Sequence, residues 1–211
     1  MLLMPDTTIY SAGGGALTLV GSNTAYDAND PVAVDLSALT ILSGDHIIYA
    51  YAFRDDNAHT DPAGYTTLGR GENQQGYGTA FQACYIVASG GETATGVASG
   101  PGFKNHTAAA WVFRNASSVA STPDATGPLG TTATTPTRTF TAGSIPIDIV
   151  GSYNNNITGP AGSASEDINN NGAYKIGGST FAAVAAGSRT GSTFTAPTGT
   201  WWSAMTIEVF A

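Results

Sequence analysis

His46-Ile47-Ile48-Tyr49-Ala50-Tyr51-Ala52-Phe53 is the run that decides the fold. A polar turn, Arg54 to Gly64, follows it. Two further apolar runs come next, Thr79 to Ala88 and Ala108 to Phe113, with Gly, Pro, Asn and Asp in the gaps. Short β-rich runs separated by turn formers at near-regular spacing predict an antiparallel sandwich or barrel.

The same reading carries along the chain. Strands are expected at Ala16 to Val20, Val32 to Leu39, Asp45 to Phe53, Tyr65 to Leu68, Thr79 to Ala88 and Thr93 to Ala98. Further strands are expected at Thr107 to Arg114, Thr137 to Thr141, Pro146 to Tyr153, Thr180 to Ala186, Gly191 to Thr195 and Trp201 to Phe210. Val32, Val34 and Leu36 alternate with small or polar residues, and Met205, Ile207 and Val209 alternate with Thr206, Glu208 and Phe210, the period of a strand. Thr180 to Ala186 is alanine-rich and fits a helix by propensity; its glycine-bounded, Thr-rich setting decides for strand. Ser117 to Pro136 has almost nothing to bury and reads as a surface loop, as does the Asn-rich stretch Tyr153 to Gly172.

Composition narrows the function classes. The 211 residues are 42% hydrophobic but only 10% charged, against about 25% charged in an ordinary domain. Thr, Ser, Asn and Gly must therefore make the polar surface, as in proteins that work outside cells or within large assemblies. The net charge is −8 and the seven Lys and Arg are scattered singly. Nucleic-acid binding needs clustered cations, and anionic lipid repels an acidic surface, so neither nucleic acid nor a membrane is an expected partner. No run approaches the ~18 apolar residues of a membrane span.

The organisation expected is a flexible N-terminal arm, residues 1–15, and one sandwich domain, residues 16–211. Met1, Leu2, Leu3 and Met4 are apolar for too short a run, and lack the cationic start, for a signal peptide. They are read instead as a disordered end or as an arm that docks on a neighbouring subunit, with Gly13-Gly14-Gly15 as a flexible joint. Cys84, the only cysteine, lies inside an apolar run and reads as a buried small hydrophobe.

No catalytic, metal or cofactor motif stands out. The histidines, His46, His59 and His106, show no metal-ligand spacing. Asp55, Asn57 and Asp61 offer oxygen ligands suited to calcium, without the glycine and distal glutamate of an EF-hand; a plain polar turn is the simpler reading. Glu72, Glu92, Glu166 and Glu208 are expected on loops or on an exposed strand position, with no local motif to single out a carboxylate pair, and no serine sits on a nucleophile elbow. No enzyme activity and no cofactor is expected. Trp201 and Trp202 must face opposite ways in a strand, one filling the core with Trp111 and the other half-exposed; Trp202 is taken as the partner-binding ring.

A resemblance adds to this. Gly44-Asp45, the strand after it, Asp55-Asp56, Pro62-x-Gly64-Tyr65-Thr66, Tyr85-Ile86-Val87-Ala88, Gly91-Glu92-Thr93 and Ala108-Ala109-Ala110-Trp111-Val112-Phe113-Arg114 together resemble virion structural proteins of tailed bacteriophages. The resemblance covers about a third of the chain. It implies an all-β, antiparallel, jelly-roll-like sandwich, made in the host cytoplasm and placed on the outer surface of the virion. The function expected is that of a head decoration (cement) protein, a homotrimer bound to the major capsid protein. The alternative is a tail-associated adhesin whose sandwich binds host glycan.

Overall fold

A computed structural model describes residues 15–28, 32–54, 59–72, 79–98, 106–122 and 125–211. Among them there is no helix, and thirteen strands carry the fold. In chain order these are β1 (Thr18–Asp27), β2 (His46–Arg54), β3 (Thr66–Glu72), β4 (Thr79–Val87), β5 (His106–Arg114), β6 (Ser118–Ser121) and β7 (Ala125–Thr134). They continue with β8 (Arg138–Phe140), β9 (Ile145–Tyr153), β10 (Ser165–Asn169), β11 (Tyr174–Thr180), β12 (Gly187–Arg189) and β13 (Thr193–Phe210).

Two antiparallel sheets pack face to face, as the apolar runs predict. The first has the order β1-β5-β2-β4-β3 and the second β10-β11-β9-β13-β6, with β7 also paired to β13. Residues up to 114 build the first sheet and residues from 118 onward the second. The sandwich is therefore as expected, while the connectivity departs from a jelly roll, because the chain completes one sheet before starting the other. Each half also repeats one plan. Its first strand lies at an edge, its last strand beside that one, then its second, fourth and third. For the second half this sets aside β7 and the small β8–β12 ribbon.

β2 shows why its run is apolar without a break. Ile48, Ala50 and Ala52 enter the core between the sheets with Trp111, Ile147, Ile149, Met205 and Ile207. Ile47, Tyr49, Tyr51 and Phe53 point the other way, into a second core on the outer face of the first sheet. Strands buried on both faces read as continuous apolar runs. Val32, Val34 and Leu36 form part of the cover of that outer face. Residues 32–39 are thus no ladder strand; the segment bonds to 93–95 through the Asp35–Ala94 bridge and lies over the sheet as a strap. Thr93 to Ala98 is likewise a bridge and not a strand. A third core, with Val150, Phe194, Trp202 and Ala204, fills the outer face of the second sheet.

Polar bonds tie the two sheets together through this interior. Trp111 is fully buried and donates its indole N–H to Asp167 Oδ2 at 2.8 Å, while Ser22 donates to Asp167 Oδ1 at 2.7 Å. Thr107 Oγ1 bonds the Tyr174 carbonyl at 2.8 Å and Ser121 Oγ the Leu68 carbonyl at 2.5 Å.

The polar stretches depart most from their reading. Ser117 to Pro136 is not a surface loop but β6 and β7, paired along β13. Tyr153 to Gly172 contains β10. Phe181 to Ala186 is neither helix nor strand: β11 ends at Thr180, and the Val184 amide and carbonyl bond Ser144 and Gly143 instead. Thr193 to Thr195 of the expected Gly191 to Thr195 strand, and all of Trp201 to Phe210, belong to the one long β13, with register shifts between Thr195 and Trp202.

Candidate functional site

The calcium-like loop comes first among the candidates. Asp55 and Asn57 lie outside the described residues. Asp61 Oδ1 accepts from Gln82 Nε2 at 2.7 Å and from the Tyr51 hydroxyl at 3.2 Å, and its Oδ2 accepts from Thr67. Three donors from β2, β3 and β4 thus hold this carboxylate against the outer face of the sheet. Burial, followed by the charge of Asp61, pushes both the Tyr51 hydroxyl and the Cys84 thiol well above their ordinary pKa. Cys84 is fully buried, with Sγ 3.6 Å from the Tyr49 carbonyl, as a small hydrophobe should be. No group of three His, Cys, Asp or Glu side chains placed to hold a metal ion occurs among the described residues.

The acids on the second sheet are placed differently from their reading. Glu208, expected on an exposed strand position, is buried at 1% exposure. It and the fully buried Asp148 share the outer face of β13 and β9, where Thr206 pairs with Asp148 and Glu208 with Pro146. Asp148 Oδ2 accepts from Arg189 Nη1 at 2.8 Å and from Ser192 Oγ at 2.5 Å, and its Oδ1 from Thr206 Oγ1 at 2.8 Å. Glu208 accepts from Arg138 Nε at 2.9 Å and from the Thr141 amide at 2.6 Å. Burial raises the Glu208 pKa, but these bonds outweigh it and leave the carboxyl below its ordinary value. Arg138 and Arg189 come from β8 and β12, so the two ion pairs clamp that two-stranded ribbon onto the sheet. The Arg189 guanidinium also lies 3.9 Å over the Phe181 ring. A lone acid inside Ile145-Pro146-Ile147-Asp148-Ile149-Val150 was the available signal for this network, since a carboxylate facing a core must find a partner.

Glu92 and Glu166 serve local turns, bonding the Ser89 hydroxyl at 2.7 Å and the Ser163 hydroxyl at 2.9 Å.

The tryptophan assignment is reversed. Trp202 is 1% exposed, packs in the third core and donates Nε1–H to the Gly130 carbonyl at 2.8 Å. It fills the interior as Trp111 does, and is not free to meet a partner. Trp201, facing the opposite way, is the half-buried ring.

A cleft of about 570 Å³ opens at one end of the sandwich. Gly15, Leu42, Asp45, Arg114, Ala116 and Ala211 are among its lining residues. Asp45 is buried and grips the Arg114 fork, Nε to Oδ1 at 3.1 Å and Nη2 to Oδ2 at 2.9 Å; the same Nη2 reaches the Thr40 carbonyl at 2.7 Å. Asp45 Oδ2 also accepts the Leu42 amide at 2.9 Å. Gly44, at φ +91°, makes the turn that presents Asp45, a conformation open to glycine and strained for other residues. Asp45 and Arg114 thus answer each other's charge inside the cleft, with Leu42 and Ala116 as apolar surface. The expected arm residues Met1, Leu2, Leu3 and Met4 lie outside the described residues; the chain they belong to enters the described structure at Gly15, on the cleft's rim.

No protein-family model, curated protein or solved structure matches this chain.

Proposed function

We propose that the protein is a non-enzymatic assembly module, a decoration protein on the outer face of a tailed-phage head, where it joins the major capsid protein and further copies of itself. The observation that carries this reading is the way polar groups are used. The acids at Asp45, Asp61, Asp148, Asp167 and Glu208 are each engaged by two or more donors that tie strands, straps or sheets together. Such groups are committed to rigidity. With both faces of both sheets covered, edges and ends remain for contact, which suits a body that acts through shape and copy number. A net charge of −8 favours the outside of a shell over contact with packaged DNA.

Incubating the purified protein with heads that lack their decoration protein tests this. Saturable binding and a rise in the temperature at which the heads release DNA are expected, because a ligand that binds only the intact shell stabilises it. Heads that neither bind the protein nor gain resistance would contradict the reading.

Trp201 favours a second reading. A half-buried indole on a long strand offers a stacking face for a sugar, and an adhesin would bind host polysaccharide through it.

A further inference from the structure

We propose that β1 is the strand through which two copies of this chain pair, edge to edge and antiparallel about a two-fold axis. The proposal gives the self-association named above a surface, and rests on the reading that copies associate. It does not depend on the capsid.

An open sheet edge is a template for another strand, and proteins blunt such edges with charge, proline, bulges or short length. The edges of the two sheets differ in this respect. β10 is five residues long and carries Glu166 and Asp167. β3 carries Arg70 and Glu72 and shifts register between Thr67 and Gly69. β6 has four residues, and β7, which follows it along β13, contains Pro128 and runs through register shifts. β1 has ten residues, no proline, and no charge from Thr18 to Tyr26. Its one shift lies between Leu19 and Gly21, leaving Gly21 to Asp27 in unbroken register with Val112 to His106 of β5.

The strand is also held ready. Ser22 is anchored toward the second sheet by Asp167, and Asn23 Nδ2 bonds the Asp35 carbonyl of the covering strap at 2.9 Å. Side chains on both sides fix the strand's position, and among the described residues no strand lies along its outer edge. Beyond the β5 ladder, the Thr24 amide bonds the adjacent Asn23 Oδ1 at 2.8 Å, and among the described residues no other backbone group of Gly21 to Ala25 finds a partner there. A second strand would replace that local bond with a ladder bond.

The partner follows from charge. In a chain of net charge −8, self-association is opposed wherever acids meet. A β1–β1′ ladder centred on Asn23 pairs Gly21 to Ala25 with the same segment of the other copy, and that segment carries no charge, so no like charges face within it. The contact is isologous and yields pairs, where the sequence reading expected a threefold assembly.

Sedimentation equilibrium over a concentration series tests this with the full chain. A monomer–dimer equilibrium is expected, with hydrogen exchange at residues 22–25 slowing as dimer forms. Thr24→Pro removes an outward amide and bars a ladder bond. Asn23→Lys, at an exposed position, sets two cations across the axis. Each should raise the dissociation constant by about tenfold or more, and unchanged circular dichroism of Asn23→Lys would separate this from unfolding. A chain that stays monomeric at its solubility limit, forms trimers, or dimerises equally well in both variants would overturn the proposal. Head binding is measured separately, so failure here leaves that reading standing and the reverse also holds.

Discussion

Gly178→Ala should destabilise the sandwich by about 2 kcal/mol, although the new side chain is one methyl. An ideal Cβ on Gly178 would sit 2.1 Å from Trp111 Cζ2 and 2.6 Å from Cη2. The indole cannot slide away freely, because its Nε1 is bonded to Asp167 on β10 at 2.8 Å and the ring is fully buried between the sheets. Overpacking of this kind costs about 1–3 kcal/mol, and a clash this close to a fixed ring belongs at the upper end. Alanine would otherwise gain about 0.5–1 kcal/mol over glycine in a strand, which leaves the net loss stated. Urea denaturation should read it directly, and the melting temperature should fall by roughly 4–8 °C. Trp111→Phe alone should also destabilise, losing the Asp167 bond and ring volume. The double variant should then be at least about 1 kcal/mol more stable than the two losses summed, since the shorter ring vacates the space the methyl needs. Wild-type stability in Gly178→Ala, or strict additivity, would refute this account of the inter-sheet core.

Arg189→Ala leaves Asp148 buried without its cation and should destabilise by about 3 kcal/mol, with limited proteolysis cutting the loosened 181–192 segment first. Trp202→Ala should cost about 3–5 kcal/mol, whereas Trp201→Ala should stay within about 1 kcal/mol of wild type, because only the first ring fills a core; denaturant titration separates them. His106 is pushed down to about 4 by burial first and then by the charge of His59, with Asp27 pulling the other way. Between pH 6.5 and 4 the unfolded chain therefore takes up a proton that the folded chain refuses. Stability should fall over that window by up to about 3 kcal/mol, measured as unfolding free energy against pH, and His106→Gln should flatten the curve.

Strands buried on two sides were the easiest to read from sequence. β2, β4, β5 and β9 announce themselves because both faces need apolar residues. Val32 to Leu36 shows how periodicity can mislead. Its alternation is real, and Val32, Val34 and Leu36 do turn inward, yet they cover a sheet instead of joining one. β7 shows the opposite failure. Its small residues carry no strand signal, but smallness lets its backbone come close to β13, and the Trp202 indole bonds directly to the Gly130 carbonyl. Tertiary pairing there overrides propensity. For the tryptophan pair, sequence fixes that the rings diverge; which one faces inward depends on register with β9 and β7, and no local pattern carries that. The Asp148–Arg189 and Glu208–Arg138 pairs join residues 41 and 70 positions apart, so the acids were visible and their partners were not.

Antibody raised against this chain and imaged on intact virions by negative-stain electron microscopy tests the central claim most directly. The account predicts label distributed over the faces of the head, lost when the chain is deleted. Label confined to the tail, or its absence from particles altogether, would contradict it.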